Sequence, residues 1–353
     1  MKGLKLFWFS LVLCVSIAHA ESDVRRTPSG KPDLSGFYDT GTLTPLQRPE
    51  FLGETEYLYK WVADLINWAA EWAYDLAFES TSDPDREAPP EGGDGNNTAG
   101  AGGVGGYNAF YIGPGNHVTE VDGKIRTSII YDPPNGRQPA MSEEAQKRMA
   151  IRYKSFSHEN TGTASWLDEE GDGPFDGPET LAPSERCLIS FGATVPTIPS
   201  LYNNFKRIIQ TEDYVMILVE MVHDARVIPI NGDHRPKAIE QWMGDSIAWW
   251  DGDTLVVETV NLHPQQKARM MASLSDQGRI IEKFTRYSDQ QIFYEFEVID
   301  PVFYTESWGG EISFNSTETK LYEYACHEGN YGLQGILGGY RRQEMDAEAE
   351  AGS

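Results

Sequence analysis

Apolar and polar residues alternate with a period of two through much of the second half of this chain, which is the pattern of half-buried strands. Phe205–Gln210, residues 213–230, 243–250, 251–262, 279–287 and Gln291–Ile299 carry it. Asp251-Gly252-Asp253 is the turn between two of these runs. Shorter stretches at 107–112, 124–131, 304–308, 311–314 and 320–325 read the same way. Consecutive strands joined by short turns predict a mainly β, antiparallel fold, either an up-and-down barrel of the lipocalin or calycin kind or a sandwich. A barrel accommodates the polar residues set among apolar strand positions, because they can line an interior cavity.

Helical periodicity is clear in one place. Over residues 55–78, Leu58, Trp61, Val62, Leu65, Ile66, Trp72 and Leu76 recur at helical spacing, with Lys60, Asp64, Asn67, Glu71 and Asp75 opposite. Thr55 is the N-cap candidate, and the tryptophan face is expected to pack on the body or lid an opening. A shorter helix is predicted at 142–153 with Ser142 as N-cap. Residues 157–185 read as a long acidic loop carrying Trp166 and Phe175.

The first 20 residues change the picture of location. Lys2 and Lys5 precede an apolar run, and Ala18-His19-Ala20 is a small-x-small cleavage site, so 1–20 read as a secretory signal and the protein as periplasmic or secreted. The remaining divisions are an arm with the amphipathic helix (21–80), a Gly-rich acidic linker (81–106), the β domain (107–345) and an acidic, frayed tail (346–353). No other segment is apolar enough to span a membrane. Removing the signal takes away two lysines and no acids, so the formal charge goes from −25 to −27. Such a surface repels nucleic acid. Cys187 and Cys326 are the two cysteines left, and in an oxidising compartment a bridge between them is expected.

These residues resemble a family of exported bacterial proteins with no established activity. The resemblance rests on Tyr107-Asn108, Arg126-Thr127-Ser128, Asp132-Pro133-Pro134-Asn135-Gly136-Arg137, Glu185-Arg186-Cys187-Leu188, Tyr202-Asn203-Asn204 and Glu220-Met221-Val222-His223-Asp224-Ala225-Arg226. It continues through Trp242-Met243-Gly244-Asp245-Ser246, residues 252–259, and Tyr324-Ala325-Cys326-His327-Glu328-Gly329-Asn330-Tyr331. It covers most of 107–342 and implies one contiguous domain. It supplies no catalytic residues.

Chemistry concentrates in two constellations. Glu220 or His223 is a candidate general acid or base, with Arg226 orienting an anion. A strand places Glu220, Val222, Asp224 and Arg226 on one face, and a bulge near His223 would turn the imidazole inward. Tyr324, His327, Glu328 and Asn330 form the second group, anchored by Cys326; His327 or Tyr324 is the candidate acid. Arg126 is a further candidate anion ligand and Trp242 a stacking platform. Ser246 lacks a nucleophile-elbow motif. Cofactor motifs and close-spaced metal-ligand pairs are not found in the sequence, so neither a cofactor nor a metal is expected. The function expected is a cofactor-independent acid/base enzyme (lyase, isomerase or hydrolase) on a small organic or sugar-like substrate in the barrel cavity. The alternative is a carrier of an apolar ligand. A small molecule is the expected partner, with no nucleic acid and no defined protein partner.

Overall fold

The computed structural model describes residues 24–78, 111, 113–147, 163–168, 173, 175–190, 195–263 and 272–352. The expected signal segment, the linker and the strand at 107–112 lie outside these residues, apart from Tyr111.

The fold is mainly β. Twelve strands form among the described residues, in chain order: β1 Gly36–Asp39, β2 Glu120–Val121, β3 Lys124–Ile125, β4 Ile130–Asp132, β5 Phe205–Gln210, β6 Tyr214–Val219, β7 Ala225–Pro229, β8 Asp245–Asp251, β9 Thr254–Val260, β10 Arg279–Arg286, β11 Gln291–Ile299 and β12 Trp308–Ser316. β2 and β3 make a separate hairpin. Nine of the others follow one another around a nearly closed antiparallel sheet in the order β7-β6-β5-β1-β12-β11-β10-β9-β8, with β4 added on β12. The two runs β5–β7 and β8–β12 are meanders. β1 joins them by pairing with β5 on one side and β12 on the other. Residues 36–39 therefore belong to the barrel rather than to a separate N-terminal arm.

One residue in two points inward and is buried: Ile208 on β5, Val215 and Ile217 on β6, Arg226 and Ile228 on β7, Ala248 on β8, Leu255 and Val257 on β9, Ile280, Glu282 and Phe284 on β10. The interior is filled rather than hollow. Tyr294 lies 5.0 Å from Phe284 and 5.1 Å from Phe314, ring centre to ring centre, and Phe296 lies 5.6 Å from Trp308. The expected lumen is thus a packed aromatic core.

The barrel closes between β7 and β8. Nine alternating strands bring these two ends together running the same way, and a parallel bridge joins Ile230 to Ala248, with the Asn231 N–H donating to the Ala248 carbonyl at 2.7 Å. The next rung of that ladder requires the N–H of residue 229 to reach the carbonyl of Ser246. Residue 229 is proline and has no N–H. The ladder therefore stops, and β7 and β8 separate beyond it.

Several sequence expectations are corrected. The run 213–230 is not one strand. It reverses at residues 220–224, where Val222 (φ 60°) and His223 (φ 45°) are left-handed. The reversal flips the side-chain parity, so Val215, Ile217 and Val219 face inward with Arg226, while Met216 and Leu218 face outward. The N-terminal helix spans Lys60–Phe78 rather than 55–78, because residues 56–58 are held in extended pairing: Leu58 N–H donates to Ile125 at 2.7 Å and Thr127 N–H to Glu56 at 3.1 Å. It docks through Ala63 and through Asn67, which accepts from Val118 N–H at 2.9 Å. Trp61, Leu65 and Trp72, expected to pack inward, are 54–68% exposed. Ser142 caps a helix over 143–147 by accepting from the Ala145 N–H. The expected strand at 320–325 does not form, and the tail is part of a long C-terminal helix, Tyr331–Ala351, whose Tyr340 stacks on Phe175 at 3.5 Å.

Candidate functional site

Where β7 and β8 part, a cavity of about 550 Å³ opens. One side is β7 itself, through Ala225, Arg226, Val227 and Pro229, together with the strained turn bearing His223 and Asp224. Gly244, Asp245 and Ser246 of β8 form the other. The connection between these strands supplies Asp233, Arg235 and Glu240–Met243. It is pinned down by Asp245, whose carboxylate accepts from the Arg235 N–H at 2.8 Å and lies 2.8 Å from His234 Nδ1. The remaining wall is Cys187, Leu188 and His327. Cys187 is bonded to Cys326, as the sequence suggested, and this crosslink brings His327 to the cavity from 139 residues away.

Arg226 reaches the cavity from below but is already committed. Its guanidinium makes a two-pronged pair with Glu282 across the barrel, at 2.7 and 3.2 Å. Tyr294 donates to the same carboxylate at 2.8 Å, and the Thr197 N–H donates to the Tyr294 hydroxyl at 2.8 Å. A buried charge requires this degree of pairing. Burial and the neighbouring Glu282 carboxylate hold the Tyr294 phenol well above its usual range. Arg226 is therefore a structural partner rather than a free cation for an anionic substrate.

Asp224 is in the opposite condition. Burial raises its carboxyl to about 6, only partly offset by the Ser190 N–H that donates to it at 2.8 Å and by the adjacent His223. No arginine or lysine is paired with it among the described residues. A carboxyl moved toward neutrality, beside imidazoles in a cleft, is a characteristic proton-transfer arrangement. Sequence reasoning passed over Asp224; the only signal was its adjacency to His223.

The structure divides the other candidates. His223, Arg226, Trp242 and His327 share the seam cavity; the Trp242 ring stacks on His263 at 4.0 Å. Tyr324 and Asn330 line a second cavity of about 430 Å³ on the other side of the disulfide, with Tyr111, Glu185 and Glu323. Glu220, the leading candidate base, borders neither. It is buried, accepting from Asn203 at 3.0 Å and from the Tyr322 N–H at 3.0 Å, so it ties the β6 end to the segment before the disulfide. Burial raises its pKa, and those two donors and Lys206 oppose the rise. Glu328 is exposed on the turn Cys326–Gly329. Arg126 lies outside the barrel wall, paired with Glu56 and Glu311 and stacked between Tyr57 and Tyr131 at 5.1 Å each. Two carboxylates already compensate its charge.

No helix among the described residues is long and apolar enough to cross a membrane. Comparison with protein families, with curated proteins and with solved structures returns no match.

Proposed function

We propose that the protein is an exported, cofactor-independent acid/base enzyme, a lyase, isomerase or hydrolase, that holds a small organic substrate in the seam cavity. The observation that carries this reading is the raised carboxyl of Asp224 facing the same space as His223 and His327. In this reading Asp224, with His223 beside it, takes the proton, His327 returns one from across the cavity, and Trp242 offers a flat face. The rings that fill the barrel interior favour this reading over an apolar-ligand carrier.

The test is a turnover screen of the mature protein against pooled small metabolites, with Asp224→Asn and His327→Ala beside it. Turnover that falls at least a hundredfold in both variants, with unchanged thermal unfolding, supports the assignment. Equal turnover in all three proteins sinks it.

A further inference from the structure

The split seam leaves main-chain groups as well as side chains facing the cavity. The Val219 N–H donates to the Asp224 carbonyl and the Ile230 N–H to the Asp213 carbonyl, each at 2.8 Å. Pairs of this type recur at every second residue of an antiparallel ladder. With Ile217 opposite Arg226 and Val215 opposite Ile228, residues 224, 226, 228 and 230 turn their N–H and C=O toward β6. Ala225, Val227 and residue 229 turn theirs to the other side, toward β8. On β8, the bond from Asn231 to the Ala248 carbonyl fixes the even positions, including Ser246, as those directed at β7. Above the Ile230–Ala248 bridge, no described strand pairs with this side of β7. The cavity is bounded by those same residues, Ala225, Val227 and Ser246.

We propose that this edge of β7 receives an extended, positively charged peptide segment as an added strand. The backbone recognises extension, through the Ala225 and Val227 groups, over a length of three or four residues. The rim recognises charge. Asp224, Asp233 and Glu240 surround the opening, the Arg226 charge is consumed by Glu282, and Arg235 lies 3.9 Å from Asp245. Trp242 and Met243 offer an apolar surface for a side chain or an aliphatic lysine stem. Proline at 229 is what keeps the seat open, by denying β8 the rung that would fill it. The inference rests on the seam cavity as the working site and names its substrate class as peptide.

Calorimetric titration of the mature protein with an acetylated Lys-Val-Lys-Val amide tests it. Binding is expected, weakened at least tenfold when alternate peptide nitrogens are methylated, since charge and side chains are then kept and the ladder is lost. Val227→Pro removes a donor that points away from β6, so it is expected to leave the fold intact and to weaken binding at least tenfold. Pro229→Val restores the missing N–H; closure of the seam is then expected to raise the unfolding temperature and to abolish binding. Equal affinity for the methylated and unmethylated peptides overturns the proposal without reference to any variant. So does spermine binding as tightly as the peptide. His327→Ala separates the two readings: it is expected to leave peptide affinity within threefold. Peptide binding without turnover of any peptide defeats the acid/base reading alone, whereas turnover of a non-peptide compound with no peptide affinity defeats this one alone.

Discussion

Two residues apart in the chain, Asp224 and Arg226 meet opposite fates. Arg226 turns into the barrel, where it pairs with the Glu282 carboxylate, which Tyr294 also holds. Asp224 remains at the mouth, where burial raises its carboxyl to about 6 and no guanidinium compensates. Arg226 and Glu282 neutralise each other inside the barrel; the mouth retains charge in a costly state. Backbone strain follows the same division. Val222 and His223 are left-handed at the mouth, and Cys187 (φ 55°) borders the same cavity, whereas the strands forming the barrel wall contain no positive-φ residue. Strain and uncompensated charge together mark the mouth as the region shaped by something other than stability.

The largest test of this contrast is Glu282→Ala. It leaves the Arg226 guanidinium buried and unpaired and is expected to lower unfolding free energy by about 3–5 kcal/mol. Asp224→Asn, by contrast, keeps an acceptor for the Ser190 N–H and removes an already disfavoured ion, so it is expected to cost no stability at pH 7. Urea titration of both variants measures the difference, and equal losses would erase the distinction between interior and mouth. Next is Cys187→Ser. The bridge closes a long loop and holds His327 against the cavity, so its removal is expected to cost about 2–4 kcal/mol and to reduce turnover further by releasing that wall.

Both regions were unequally legible in the sequence. β5 and β11 are readable to the residue, because alternation with a buried face fixes them. The reversal at 220–224 is not, since it is built from Val222 and His223 rather than from the glycine or asparagine that ordinarily announces a left-handed turn. Missing it put Met216 and Leu218 on the face of Arg226, where Val215, Ile217 and Val219 lie instead. Glu282 was invisible as a partner, lying 56 residues away on a strand not adjacent to β7. β1 gave no signal either: four residues, GFYD, are too few to show a period. The disulfide was legible by arithmetic, as the two cysteines left once the expected signal segment is set aside.

A smaller and pH-dependent effect sharpens the comparison at the mouth. The folded pKa of Asp224 lies above its unfolded value, so the folded state binds the proton more tightly. Ionisation therefore opposes folding, and the wild type is expected to lose stability as pH rises from about 4 to about 6, then to level off. A shift of roughly two units corresponds to at most about 3 kcal/mol, and solvent at the cavity mouth reduces this to about 1 kcal/mol. Asp224→Asn, which still accepts from Ser190, is expected to match the wild type near pH 4 and to exceed it at pH 8. A mutant whose stability curve parallels that of the wild type across this range would show that the carboxyl is not perturbed.

His223→Asn carries the smallest expected change in stability and bears on the reason for the strain. Asparagine adopts the left-handed region more readily than other side chains, because its amide bonds to local backbone groups. His223 is exposed, so the substitution removes little packing. Val222 does not offer so clean a test, since it is 8% exposed and glycine there would exchange strain for lost burial. Relief at residue 223 is expected to stabilise the fold by about 0.5 kcal/mol, read as a rise in the urea midpoint at constant slope. The same change removes an imidazole from the cavity and is expected to lower turnover. A variant that gains stability and loses turnover shows that the chain keeps a strained histidine for its chemistry. One that loses stability shows instead that His223 is held in place by contacts it makes, and the strain then belongs to the turn and not to the site.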